Sequence, residues 1–198
     1  MINDWYQAIL DIETPLDQAK SIAIEVTSRL AKEGIITLHP EDLGKTHVSG
    51  KFAPGPRFHI ASGQDGDGAQ AYSFTGGMDV HTVPWVNEYG IVGLEYAKCP
   101  ICGTEFSVEN FDALSKLRSE FGKASDIYLK SQQFSLMSCP ACGAEVMVRD
   151  WMTEPHVGFC NLVFTFWNWP PFHDWQINVP DIIKGTLGHN AIVTYGRL

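Results

Sequence analysis

The sequence predicts an α+β fold: a mixed or antiparallel sheet, a helix near the N-terminus, and a small cysteine-bearing module inserted into the sheet domain. Three observations carry this. An amphipathic helical pattern opens the chain, β-type runs close it, and two Cys-Pro-x-Cys-Gly units lie between them. The chain has 198 residues, 44% of them hydrophobic and 12% aromatic. That is enough for one ordinary domain with a real core plus a small insert. The reading places residues 1–95 and 151–198 in one α+β domain and residues 96–150 in the insert.

The first helix is predicted from about Pro15 to Glu33. Thr14 can cap it, Pro15 suits the first helical position, and Asp17 completes a Thr-x-x-Asp box. Leu16, Ala19, Ala23, Val26 and Leu30 repeat at three- and four-residue spacing and make one apolar face. Gly34 is the stop signal, and Ile35–Leu38 reads as a short strand. From Pro40 to about Gly68 the composition is that of a loop, rich in Gly, Pro and Asp.

Two stretches of that loop resemble ligand sites and fail as such. Gly44-Lys45-Thr46 looks like the tail of a phosphate loop, but the glycine required five places before Gly44 is His39. The segment that follows, with Pro54 and Pro56, cannot be the helix that would hold a phosphate. Gln64–Gly68 looks like a calcium loop, but lacks the third acidic position and the distant glutamate.

Residues 71–74 and 78–83 suggest a hairpin around Gly76-Gly77. Tyr89–Tyr96 reads as a strand, and Asn110–Gly122 as a helix carrying Phe111, Leu114, Leu117 and Phe121. Ala144–Trp151 and Leu162–Trp167 read as strands, Asp181–Leu187 as a short helix ended by Gly188, and Ala191–Tyr195 as a final strand.

The chemistry lies in Cys99-Pro-Ile-Cys102-Gly103 and Cys139-Pro-Ala-Cys142-Gly143. Two thiolates separated by two residues sit on one side of a tight turn. Proline fixes φ early in that turn, and glycine permits the positive φ that leaves it. Two such turns supply four sulfurs, the tetrahedral set of a structural Zn²⁺ site, and Cys99, Cys102, Cys139 and Cys142 are its predicted ligands. A rubredoxin-like iron centre would use the same four thiolates. A pair of redox dithiols fits less well, because that chemistry wants one CxxC at a helix start. A catalytic zinc would need an open fourth position, which four cysteines do not leave.

Residues 96–150 resemble the zinc-ribbon family with its two zinc knuckles. The departure is the connector of 36 residues from Cys102 to Cys139 (139 − 102 − 1), longer than a minimal ribbon needs. A wider resemblance rests on Phe52-Ala-Pro-Gly-Pro56, the two CPxCG units, and Asn161–Pro171 with its FWNWPP segment, followed by Leu187-Gly-His189. With these the chain resembles an uncharacterised group of bacterial proteins, which implies a bacterial origin. Labels of transporter-ATPase type in that group find no phosphate loop here.

Function is read from what remains. Net charge is −9, with 23 acidic against 14 basic residues, so a phosphate backbone is repelled and a basic protein partner is favoured. A transcription-associated ribbon that contacts nucleic acid is disfavoured for the same reason. No run of 18 apolar residues exists, and the start Met1–Tyr6 lacks the form of a signal peptide. A cytoplasmic protein is therefore the expectation, in keeping with metal rather than disulfide use of the cysteines.

Of the seven histidines none stands in a metal-binding spacing. Cys160, four residues from His156, reads as a buried inert thiol. With no catalytic motif, the leading reading is a non-catalytic zinc protein that binds another protein, in its sharpest form an acidic immunity-type inhibitor of a bacterial toxin. Trp167, Trp169, Phe172 and Trp175 are the candidate partner contacts, set against the plainer reading of these rings as core. The competing reading is an enzyme whose site is assembled from residues distant in sequence, drawn from His59, His81 or Asp79, with the aromatic stretch as a pocket.

Overall fold

The computed structural model describes residues 5–38, 52–61 and 76–197. The phosphate-loop-like Gly44–Thr46, the calcium-loop-like Gln64–Gly68 and the first arm of the expected 71–83 hairpin lie outside them. The chain divides into two compact units, Met1–Val83 with Asn161–Leu198, and Pro84–Cys160.

The first unit starts with β1 (Trp5–Asp11), α1 (Leu16–Lys32), β2 (Ile36–Leu38), β3 (Phe52–Pro54), the short α2 (Phe58–Ala61) and β4 (Met78–His81). The chain then runs through the second unit as β5 (Trp85–Val86), α3 (Glu88–Val92), β6 (Tyr96–Lys98) and β7 (Glu105–Ser107). That unit continues with α4 (Phe111–Ser131), β8 (Leu136–Ser138), β9 (Glu145–Met147), β10 (Met152–Glu154) and β11 (Phe159–Cys160). The first unit is completed by β12 (Leu162–Trp167), α5 (Val179–Leu187) and β13 (Ile192–Arg197).

In the first unit the six strands form one sheet in the order β13-β1-β12-β4-β3-β2, with every neighbouring pair antiparallel. The α+β class predicted from the sequence is the one observed. The register Gln7↔Phe166, Ile9↔Phe164 and Phe166↔Met78 places Ile9, Phe164, Phe166 and Met78 on one face of the sheet. They share a core with Ala19, Ala23, Val26 and Leu30 of the stripe predicted for α1, whose first member, Leu16, is only half-buried.

The helix start differs from expectation. Pro15 is the N-cap, and no side chain caps the helix. Thr14 is instead drawn to Asp11: its N–H donates to Asp11 Oδ1 at 3.0 Å and its hydroxyl bonds Asp11 Oδ2. Asp11 is wholly buried and also accepts the Glu13 N–H, while His189 Nε2 lies 2.7 Å from its Oδ1. A buried carboxylate needs that many partners to offset its desolvation, so it takes the hydroxyl the helix would have used.

The tryptophan-rich stretch builds this core. Trp169 is 0% and Trp175 8% exposed. Trp169 packs edge-on to Phe58 at 4.6 Å and stacks on Trp175 at 5.7 Å, while Phe166 meets Phe172 at 5.0 Å. Buried Gln7 holds the turn through three bonds: its Nε2 donates to the carbonyls of Trp169 and Pro170, and its Oε1 accepts the Phe172 N–H. Of the four candidate partner contacts, Trp169 and Trp175 are therefore interior, and Trp167 and Phe172 are half-buried.

The second unit has its own core, under two short hairpins and along α4. Three elements depart from the sequence reading. Residues 89–92, expected as the start of the Tyr89–Tyr96 strand, belong to a helical turn, Glu88–Val92, between Asn87 and Gly93. Gly90 there sits so close to the His156 carbonyl that a Cβ would lie 2.6 Å from its oxygen. Helix α4 does not end at Gly122 but continues to Ser131, burying Ala124 and Tyr128 beyond Leu114, Leu117 and Phe121. A Cβ at Gly122 would touch nothing within 4 Å, so the residue costs only its helix propensity, about 1 kcal/mol, which that burial outweighs. The 144–151 strand is β9 followed by a single 3₁₀ turn, Val148–Asp150.

The unit boundaries also lie further out than residues 96 and 150. β10 pairs with β6 through Thr153↔Ala97, and β11 pairs with β5. Trp151 is buried between Phe106 and Phe121, each 6.2 Å away. Those contacts place 84–95 and 151–160 with the cysteine unit.

Candidate metal centre

Each cysteine pair sits in a hairpin whose strands dictate its shape. β6 and β7 pair through Lys98↔Glu105, and β8 and β9 through Ser138↔Glu145. In the first turn the Cys99 N–H donates to Thr104 O at 3.0 Å, and the Gly103 N–H to Cys99 O at 3.0 Å. In the second, Cys139 donates to Ala144 O at 2.8 Å and Gly143 to Cys139 O at 2.9 Å. Gly103 and Gly143 have φ of +70° and +71°, and a Cβ on either would meet nothing. Backbone conformation, not space, selects glycine at both.

The two hairpins are copies. Tyr96–Asn110 aligns without a gap with Leu136–Asp150, and strand, turn, strand and 3₁₀ turn recur in the same places. The pairs Ala97 and Met137, Cys99 and Cys139, and Phe106 and Val146 are buried alike. The sequence signal for this longer repeat was available in Glu105 with Glu145 and Val108 with Val148, beyond the cysteines themselves. The copies diverge at their ends, where Val148 is 1% exposed and Val108 60%.

The fold brings all four predicted ligands together. The ligand atoms of Cys99, Cys102, Cys139 and Cys142 lie within 4.8 Å of one another, and Cys102 Sγ is 3.9 Å from Cys139 Sγ. Four sulfurs placed tetrahedrally about 2.3 Å from one ion stand about 3.8 Å apart. The set is therefore placed to hold a single ion once its widest pairs close by up to about 1 Å. Cys99 and Cys139 are buried and Cys102 and Cys142 exposed, so one ligand of each turn faces inward and one outward.

The connector of 36 residues has its explanation in α4. That helix supplies Leu114, Leu117, Phe121 and Tyr128 to the floor beneath the hairpins, and Arg118 Nε donates to Leu94 O at 3.0 Å. Tyr128 stacks on Phe134 at 5.0 Å and meets Phe159 edge-on at 5.6 Å.

Electrostatics prepare the site for a cation. The Thr104 hydroxyl, then its N–H, holds the Cys102 thiol down, to about 6. At Cys142 the Ala144 N–H pulls down as well. It is outweighed by the bond to Cys102, loss of water, the bond to Cys139 and the charge on Cys102, and the thiol is pushed up to about 11. Four thiolates crowded together repel one another, and a divalent ion removes that repulsion by binding all of them. Beside the first turn, Lys98 Nζ pairs with Glu105 Oε1 at 2.9 Å, an exposed strap across the strands.

The other candidates fall elsewhere. His59 is on the exposed side of α2. Asp79 and His81 share a face of β4, where Asp79 Oδ2 accepts the Trp167 indole N–H at 3.0 Å. Cys160 is buried, its sulfur 3.9 Å from the Trp85 carbonyl oxygen. No helix among the described residues is long and apolar enough to cross a membrane.

Comparison with protein-family models, with curated proteins and with solved structures finds no match to this chain. The zinc-ribbon resemblance therefore stands on the cysteine cluster alone, and the wider resemblance gains no support.

Proposed function

We propose that the four thiolates hold one Zn²⁺ that braces the second unit, and that the protein acts by binding another protein rather than by catalysis. The observation that carries the first half is the closed sulfur set. Four soft ligands match zinc and leave no position for water or substrate. Iron would take the same sulfurs, so the test is metal analysis of purified protein, with one zinc per chain expected and iron or no metal refuting the assignment.

The second half is supported by charge and by exposed apolar side chains on the metal unit. Ile101, Val108 and Phe111 are 68%, 60% and 59% exposed, in a chain of net charge −9. Exposed apolar side chains are the kind a partner surface buries, and the net negative charge favours a basic partner. An inhibitor of a basic toxin, of immunity type, is the specific form of this reading. Pull-down from the native cells should recover a stoichiometric basic partner that is lost with Val108→Ser and Phe111→Ser at unchanged metal content. Recovery of none, or recovery indifferent to both substitutions, would remove the reading.

A further inference from the structure

The two copies of the cysteine hairpin differ two places past the second cysteine. There the first copy has Thr104 and the second Ala144. Thr104 places a hydroxyl beside Cys102, its Oγ1 3.2 Å from Sγ; the thiol donates to it, and once the sulfur has given up its proton to bind a metal the hydroxyl is the donor. Ala144, its counterpart beside Cys142, has no hydroxyl. Cys99 and Cys139 are buried. Cys102 and Cys142 are the exposed members of the set, and the hydroxyl beside Cys102 has no counterpart beside Cys142. A hydrogen bond to a metal-bound thiolate draws charge from the sulfur and weakens it as a nucleophile. Reaction with an outside reagent also requires access.

We propose that Cys142 is the reactive thiolate of the metal centre, the point at which a soft electrophile or a hydroperoxide modifies this protein and sets the metal free. This rests on the zinc reading above. With an alkyl iodide, the sulfur of Cys142 forms an S–C bond, the C–I bond breaks, and iodide leaves with the electron pair. With hydrogen peroxide, an S–O bond forms as the O–O bond breaks, giving a sulfenic acid and hydroxide. The thiolate of Cys102, the other exposed ligand, then attacks that sulfur, and all four sulfurs lie within 4.8 Å. An S–S bond forms, the S–O bond breaks, and a second hydroxide leaves. The sulfurs lose two electrons, the peroxide gains two, and the ion loses two of its four ligands.

The test uses the full chain loaded with zinc and less than one equivalent of iodoacetamide, with peptide mapping over time and a dye that reports free zinc. Cys142 should be labelled at least about fivefold faster than Cys102, the rate equivalent of one hydrogen bond. Free zinc should rise with that label, and Cys99 and Cys139 should react only after it. Ala144→Thr should slow Cys142, and Thr104→Ala should raise Cys102 to match it. Peroxide should yield a Cys102–Cys142 disulfide. Labelling of Cys102 as fast as Cys142, or rates unmoved by both substitutions, overturns the proposal. Metal content separates the two readings. Protein that takes up no zinc overturns both, whereas zinc-loaded protein with Cys102 the faster overturns the asymmetry alone.

Discussion

Removing the metal should unfold the second unit at a much lower temperature, and the size of the effect follows from its dimensions. Pro84–Cys160 comprises 77 residues (160 − 84 + 1) with a core of its own. At free zinc held a thousandfold above its dissociation constant, linkage contributes about 4 kcal/mol of stability. A unit of this length unfolds with an entropy of about 160 cal/mol/K. The transition should therefore fall by about 25 °C on chelation. Calorimetry in zinc buffer and in chelator measures the shift, and hydrogen exchange at the Cys99, Gly103, Cys139 and Gly143 amides assigns it to this unit. Cys139→Ser in the zinc buffer should lose most of the shift, because it removes a buried ligand. If the apo protein melts within about 3 °C of the loaded protein, the ion is not bracing the fold.

Zinc affinity should fall at least about tenfold for each pH unit lowered near neutrality, because Cys142, pushed up to about 11, must release its proton to bind; competition with a chelator from pH 6 to 8 measures this, and a flat profile would contradict it. His156 works in the same direction, since burial holds its ring below the usual histidine range. The unfolded chain takes up a proton below about pH 6.5 that the folded chain resists, so stability is lost as pH falls, and His156→Gln should flatten that slope in urea titrations. In the first unit, Asp11→Ala strands the Glu13 and Thr14 amides and the His189 ring, and should cost about 3 kcal/mol by denaturant titration; a loss below about 1 kcal/mol would mean that water replaces the carboxylate. Gln7→Ala takes their partner from the Trp169 carbonyl and the Phe172 N–H, while Pro170 O keeps the Trp175 indole N–H, and should cost about 2 kcal/mol, with near-ultraviolet dichroism reporting loosened tryptophan packing.

Much of this was legible in local pattern. The stripe Ala19, Ala23, Val26 and Leu30 is a statement about 3.6-residue periodicity, and it faces the core as read. Gly34 and Gly188 end their helices at φ of +72° and +78°, as their position requires. The four ligands could be named from spacing, because a CPxCG turn is a local structure and two such turns have one common use. Where reading failed, burial outbid a local signal. Thr14 gave up the helix cap for a buried Asp11, and Gly122 was overridden by the core beneath α4.

The sequence alone determined that two thiolate turns exist and that four sulfurs of this kind suit one closed ion. Only the tertiary structure decided that they converge, with α4 packed beneath the two hairpins to bring them within 4.8 Å. Burial, too, was settled only by folding. Trp169 and Trp175 pack into the sheet core, whereas Val108 and Phe111 stay in solvent. Convergence and burial depend on contacts between residues far apart in the chain, and no window of sequence contains both partners.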